Sequence, residues 1–568
     1  MNFLEKYCSI LGSRYYWISL TTVPSSINGF KNRQFSLRQL IVGKINILYL
    51  KVVSLMSCIR VFSSCSSSPP SSEIASPASA VAASQLTEAN AVRSRYLLLD
   101  DRLIETKQNV RLAIGTVKKH KANPLMVQDK PWEPRYDNLY PNIVYDKDQK
   151  LYRCWYNPFI KDSLASKTPH EKRDLDPYTN HPDHTKDDQE KGDKVSYLPH
   201  PHSREFGMCY AVSKDGLKWT KPELNLVEFN GSKANNIFLR QGSHGGGILI
   251  DPRDSEVERR YKMFEGGIWL AGKEYEARPA VRFSKDGLRW SESIPVPEIE
   301  ANGDTHNSNR WIPELKKYVT MTRIHRGEAF FRHPSGQRVV GRTESSDYLK
   351  WSKATEVLRG DPDQQTYAMP FFRYADVYLG LVMIIRLSEE RVHCELAWSP
   401  DTFRWERINP GTPFIPTGSV KGTYDWGCIY AADAPIVMND GIRIYYSGSD
   451  GHHRYWRDGS LCLATLRPDG WAGYEPVDSG QVALVITKPL TWQGKLKITA
   501  DSVEGSIQVA VINSKDEVLS MSQLVKGEVT DHEINLSKMK QLEGLIGQPV
   551  RLKFTLNKAK LYSFVLTS

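Results

Sequence analysis

A seven-residue pattern recurs along the chain and limits what it can fold into. It reads SKDGLKW at Ser213–Trp219, SKDGLRW at Ser284–Trp290, SSDYLKW at Ser345–Trp351 and SPDTFRW at Ser399–Trp405. Pro468-Asp469-Gly470-Trp471 is an eroded fifth copy. The copies stand roughly 50 to 70 residues apart. A polar turn followed by a buried aromatic at that period predicts a radial repeat, a β-propeller.

The stretches between the copies support this. Asn142–Tyr145 turns back as Leu151–Tyr156, Gly247–Ile250 as Tyr261–Phe264, and Asn309–Ile312 as Tyr318–Thr322. Met369–Tyr374 returns as Tyr378–Ile385, and Pro435–Met438 as Ile442–Tyr446. Each is an apolar hairpin with a turn of Asp, Asn, Pro or Gly. Five hairpins and five motifs predict five blades over residues 93–480. Residues 481–568 lack the motif but alternate like short strands, as in Gly494–Ala500, Ser506–Ile512, Arg551–Thr555 and Leu561–Leu566. They predict a small β-sandwich. The expected fold class is all-β: a five-bladed β-propeller followed by a small β-sandwich, with a disordered N-terminal leader.

Residues 1–92 do not read as a folded domain. Residues 1–98 hold ten Lys/Arg against three Asp/Glu, so most of the net charge of +10 sits there. An apolar run at Ile45–Phe62, broken by Lys51 and Arg60, precedes a Ser/Pro/Ala-rich tract at Ser63–Ala83. This order resembles a secretion signal with an upstream extension, and export to the periplasm or outside is expected. The stretch is too charged for a membrane span. The rest of the chain is nearly balanced in charge and carries no basic stripe for nucleic acid. The eight cysteines have no CxxC spacing, so no zinc site is expected. Cys154 and Cys209 are read as buried thiols that could meet across neighbouring strands. The polar segment Lys161–Glu205 reads as a lid or a disordered insertion. His181 and His184 within it read as solvated loop residues rather than metal ligands. No cofactor is expected; a structural calcium on the propeller axis has no motif to support it.

In a propeller the starts of the innermost strands converge on the central channel, together with the ends of the second strands. That rule nominates Asp137 and Asn138, His244, Asp304 and His306, Asp363 and Tyr367, and Asp425, Trp426 and Tyr430 from strand starts. Second-strand ends add Asn157, Glu265, Arg323, His325, Arg386, Asp450 and His452. Carboxylates crowded among histidines and aromatics suit glycosidic bond cleavage, which needs one protonated acid and a second carboxylate. Asp146, Asp148, Asp215, Asp251 and Asp286 lie in turns and read as structural.

The hairpins, the blade number and the appended sandwich resemble the five-bladed propeller glycoside hydrolases, the invertase/levanase and arabinanase/xylosidase families. Tyr140-Pro141-Asn142 before Ile143-Val144-Tyr145 is similar to the Asp-Pro-Asn segment of the invertase-like enzymes. Tyr140 stands at their nucleophile position, with Asp137 three residues earlier. Asp251-Pro252 closes the second inner strand, where an Arg-Asp-Pro motif would open it, and no Glu-Cys-Pro-like acid is present. The families' three-acid scheme would fall on Asp137 as base or nucleophile, Asp304 as transition-state stabiliser and Glu265 as acid. His244, His306 and Tyr430 would bind hydroxyls. The expected protein is a glycoside hydrolase acting on an oligo- or polysaccharide. Two rivals are a glycoside phosphorylase, with Arg323, His325 and Arg386 as a phosphate cradle, and a non-catalytic carbohydrate-binding propeller.

Overall fold

The computed structural model describes residues 95–162, 204–240, 244–266, 279–301, 303–326, 337–453 and 457–568. All lie in one compact unit, Val81–Ser568. The leader, and with it the expected export signal, lies outside the described residues, as do His181, His184 and most of the Lys161–Glu205 segment. No helix among the described residues is long and apolar enough to cross a membrane.

The fold is all-β, a propeller with an attached sheet. Three four-stranded antiparallel sheets follow one another: Arg135–Asp146 to Ile237–Arg240, His244–Ile250 to Ile294–Pro295, and Ser308–Ile312 to Thr355–Arg359. Two further antiparallel groups are built on Val377–Arg386 with Arg391–Ser399 and on Gly441–Ser449 with Gly459–Leu466. A single parallel pair, Val392 with Cys428, joins these two into one eleven-stranded sheet. The fifth group takes its outer strands from early in the chain, because Lys118–Lys119 and Met126–Val127 both pair with Gly459–Leu466.

The recurring motif is the outer corner of four of the strand groups, while the eroded copy at 468–471 differs, its Asp469 bonding to Tyr374 and Ser563, and the chemistry of the four explains their sequence. The serine hydroxyl accepts the N–H three residues on: Gly216 at 2.9 Å, Gly287 at 2.9 Å, Tyr348 at 2.9 Å and Thr402 at 2.8 Å. The aspartate accepts the next two N–H groups, as Asp286 does from Leu288 at 2.8 Å and Arg289 at 2.7 Å. The residue after the aspartate must then be left-handed, with φ of 74° at Gly216, 77° at Gly287, 66° at Tyr348 and 69° at Thr402. Glycine meets that demand without strain, so two copies keep it. The corners also lock neighbouring blades. Trp155 of the first blade donates its indole N–H to Gly287 O of the second at 2.7 Å, and Tyr445 of the fifth donates to Gly216 O of the first at 2.9 Å.

The C-terminal part differs from the expected sandwich in its membership. Its eleven-stranded sheet includes Arg95–Leu97, Ile104–Gln108 and Val110–Ile114 from the start of the described chain, and Ala472–Pro476. Arg95–Leu97 pairs with Lys560–Thr567, and Ile104–Gln108 with Ala483–Thr487. Boundaries at 93 and 481 therefore do not follow sheet membership. The exposed edges of Ala483–Thr487 and Ala472–Pro476 are covered by distant strands, which local pattern does not encode. The long strand Lys495–Ile512 pairs with Lys560–Thr567 in its first half and with Pro549–Asn557 in its second. The sheet closes around Trp492, Phe554 and Phe564, all buried.

The cysteines among the described residues are free and buried. Cys154 faces Ala211 and Cys209 faces Tyr156, so the two thiols are not opposite one another.

Candidate active site

The first inner strand, Arg135–Asp146, is irregular where it reaches the axis. Its register against Leu151–Asp162 shifts between Arg135 and Leu139 and again before Asn142. Asp137, Leu139 and Tyr140 have φ of 53°, 57° and 41°. Three left-handed non-glycine residues in four positions store backbone strain, a common mark of functional loops. The distortion turns Asp137, Asn138 and Tyr140 towards the other blades.

Asp137 meets two guanidiniums at one oxygen. Arg457 Nη2 donates to Oδ1 at 2.6 Å and Arg135 Nη2 to the same atom at 3.1 Å. Oδ2 has no hydrogen-bond partner among the described residues. Burial alone would raise this carboxyl, but Arg457 and Arg135 outweigh it and hold it at about 2. The side chain keeps 16% of its surface open.

Asp304 stands before the third inner strand and keeps 27% open. His244 Nε2 lies 3.0 Å from its Oδ1 and Arg323 Nη1 3.3 Å from its Oδ2. Burial opposes ionisation, yet the His244 hydrogen bond and the Arg323 charge hold the carboxyl well below its usual range. The close approach of the second and third blades depends on glycine. A Cβ on Gly245 would lie 1.6 Å from Thr305 O, and one on Gly247 1.5 Å from Asn307 O. The run of three glycines after His244 thus brings that histidine against Asp304.

Polar side chains link the blades around these carboxylates. Arg457 Nη2 donates to Asn138 Oδ1 at 2.8 Å, and Asn138 Nδ2 donates to Tyr140 Oη at 2.7 Å and Tyr367 Oη at 3.1 Å. Arg323 stacks 4.2 Å from the Tyr367 ring centroid and donates to the Tyr367 carbonyl at 2.8 Å. Tyr430 lies edge-on to both Tyr140 and Tyr367, with centroids 6.0 and 5.3 Å away. Burial pushes His325 and His453 down to about 4, so both are neutral at neutral pH.

Of the nominated residues, Asp137, Asn138, His244, Asp304, Arg323, Tyr367 and Tyr430 gather on the axis. Glu265, Asp363, Asp425, Trp426 and His306 do not. Glu265 is buried inside the second blade, where its Oε1 accepts from Arg282 at 2.8 Å and Ser293 at 2.6 Å. Position 265 lies on the same sheet face as Arg282, its diagonal neighbour on the adjacent strand, and that cross-strand pair consumes the carboxylate. Asp363 caps the turn of the fourth blade, accepting from Ser388 N at 2.8 Å and Ser388 Oγ at 2.9 Å. Asp425 is buried against Lys119 at 2.5 Å and Tyr446 at 2.9 Å, fastening the early strand to the fifth blade. Trp426 is stacked by Arg391 at 4.6 Å and abutted by His452 at 5.0 Å. His306 is sealed beneath Tyr140, ring centroids 5.4 Å apart, and burial lowers it to about 4. Of the proposed cradle, Arg386 instead pairs with Glu389 at 2.6 Å. The turn aspartates behave as structural caps, as Asp146 does for Asp148 and Gln149 at 3.1 and 3.0 Å.

Arg135, Arg457, His453 and Glu390 were missed. Arg135 precedes Asp137 by two, but the left-handed turn at Asp137 breaks strand alternation there, so their contact at 3.1 Å is not one that periodicity shows. Arg457 and His453 lie in the irregular loop after the fifth blade's second strand. No group of His, Cys, Asp or Glu among the described residues is arranged to hold a metal ion. A separate cleft of about 570 Å³, lined by Lys118, Arg443, Arg467 and Tyr562 among others, lies away from the axis.

No protein-family model and no curated protein matches the sequence. Solved structures of carbohydrate-active proteins overlap it loosely. A β-1,2-mannobiose phosphorylase from Listeria innocua shares 15% identity over 62% of this chain and 96% of its own, with a TM-score of 0.41. A glycosyl hydrolase from Bacteroides ovatus shares 14% over 66% of this chain and 100% of its own, with a TM-score of 0.39. The site assignment rests on this chain's own residues.

Proposed function

We propose that the protein is a carbohydrate-active enzyme that cleaves a glycosidic bond on the axis of a five-bladed propeller, exported by its leader. One observation carries the reading: Asp137 is ionised, strained into the channel, gripped at Oδ1 by two guanidiniums and bare at Oδ2 among the described residues. A carboxylate of such low proton affinity is a poor general base near neutral pH. It suits direct attack on an anomeric carbon, with Oδ2 as the attacking atom. Asp304, held by His244 and Arg323, would stabilise positive charge on the sugar as the leaving group departs. Glu265 is dropped as the acid because it lies in the blade interior.

The rival phosphorolytic reading draws on Arg323, whose guanidinium stands beside Asp304 and could meet a phosphate oxygen. The test is turnover of an oligosaccharide panel by the full chain, with and without phosphate. Asp137→Asn and Asp304→Asn should each abolish turnover while the protein stays folded, its thermal midpoint lowered by the loss of the Arg457 and Arg323 pairs. Retained activity in both sinks the assignment, strict dependence on phosphate favours the phosphorylase, and binding without turnover leaves a non-catalytic propeller.

A further inference from the structure

With Glu265 buried in its own blade, the proton donor that bond cleavage requires is left unassigned among the described residues. We propose that this donor is the Tyr367 hydroxyl, with His453 and Glu390 behind it, an inference that rests on the glycosidic reading above.

The hydrogen-bond chain fixes the hydroxyl's surroundings. A guanidinium only donates, so Arg457 at 2.8 Å sets Asn138 Oδ1 towards itself and the amide N–H groups towards the tyrosines. Asn138 Nδ2 then occupies one lone pair of Tyr367 Oη at 3.1 Å. His453 Nε2 stands 3.0 Å from the same oxygen. Behind it Glu390 stands beside His453: its backbone carbonyl accepts the His453 backbone N–H at 2.7 Å, and its carboxylate Oε2 lies 3.6 Å from the ring Nδ1. Glu390 is itself left-handed, with φ of 49°. A hydroxyl, an imidazole and a carboxylate in line form the arrangement by which proteins orient a proton-transferring group. The Arg323 guanidinium, stacked 4.2 Å from the Tyr367 ring, places positive charge where a phenolate would form. The first, third, fourth and fifth blades all contribute, so the arrangement is not a by-product of one turn.

The steps balance as a double displacement. A bond forms between Asp137 Oδ2 and the anomeric carbon while the bond from that carbon to the glycosidic oxygen breaks. The departing oxygen takes the Tyr367 proton. Water then bonds to the anomeric carbon, its proton returns to the Tyr367 phenolate, and Asp137 is released.

The experiment compares two probes of one sugar in the full chain: the disaccharide and the 4-nitrophenyl glycoside, drawn from a panel of mannosides, xylosides, arabinofuranosides and galactosides. 4-Nitrophenolate leaves without a proton. Tyr367→Phe should therefore lower disaccharide turnover at least about 100-fold and bond cleavage in the 4-nitrophenyl glycoside less than about 10-fold. Azide, a nucleophile needing no base, should restore steady turnover of the latter in Tyr367→Phe. His453→Gln should show the same pattern more weakly. Equal losses on both probes, or no loss, overturn the proposal and leave the axial reading standing. No turnover of any glycoside by the unaltered protein, with or without phosphate, removes both.

Discussion

Arg457 and Asp137, 320 residues apart in sequence, meet at 2.6 Å on the propeller axis. The contact ties the loop after the fifth blade's second strand to the distorted opening of the first blade. It sets the charge state of the carboxylate proposed as the nucleophile and joins the first and last strand groups of the propeller.

That pairing has a pH signature. Asp137 sits at about 2 when folded, below its ordinary value of 3.8. A depressed carboxyl contributes stability above its unfolded value, and that contribution is lost as pH falls through the folded value. Arg457→Met should therefore lose roughly 2 kcal/mol at pH 7, the size of such a shift. It should also flatten the fall of stability between pH 4 and pH 2, read as urea midpoints across that range.

His244 should matter for activity more than for folding. His244→Ala removes the 3.0 Å contact to Asp304 and leaves that carboxylate to Arg323 alone. A misplaced electrostatic group can cost about 100-fold in turnover, so kcat should fall by that order while the thermal midpoint moves little. A loss confined to KM would assign His244 to ground-state binding.

Gly245→Ala tests the approach of the second and third blades. The new methyl would fall on Thr305 O, and Gly245 itself has φ of 60°. Overpacking plus a left-handed alanine should cost at least about 2 kcal/mol. Because the same contact sets His244 against Asp304, activity should fall further than stability predicts, as activity assays well below the melting temperature would reveal.

Asp286→Ala tests the corner motif alone. It removes two side-chain caps on backbone N–H groups, 2.8 and 2.7 Å long. The expected loss is about 1 to 2 kcal/mol in denaturant unfolding, with kcat unchanged.

The corners were legible because they are local: a serine and an aspartate satisfy backbone groups within five residues, and the tryptophan follows at once. The hairpins were legible for the same reason. The nominations that failed did so through direction or distance. Glu265 stands at the end of the second strand as the rule requires, but it points along the sheet face to Arg282 on the adjacent strand. Asp363 and Asp425 occupy strand openings yet are consumed by a turn and by a strand from residues 118–119. Arg457 and His453 lie in a loop with no period, and their partners Asp137 and Tyr367 stand 320 and 86 residues away, so no local window on the sequence could show them. The same holds for Arg95–Leu97, whose strand pattern is plain and whose partner at 563–565 is not.

The pairing of Arg95–Leu97 with Ser563–Val565 bears on how the molecule is made. During synthesis the earliest of these strands must wait, edge bare, until almost five hundred later residues have left the ribosome. Lys118 waits 347 residues for Thr465. The blades between can assemble one by one, whereas each of the two seams stays open until its distant partner emerges, and over that interval the nascent chain is exposed to mispairing and to holding by chaperones.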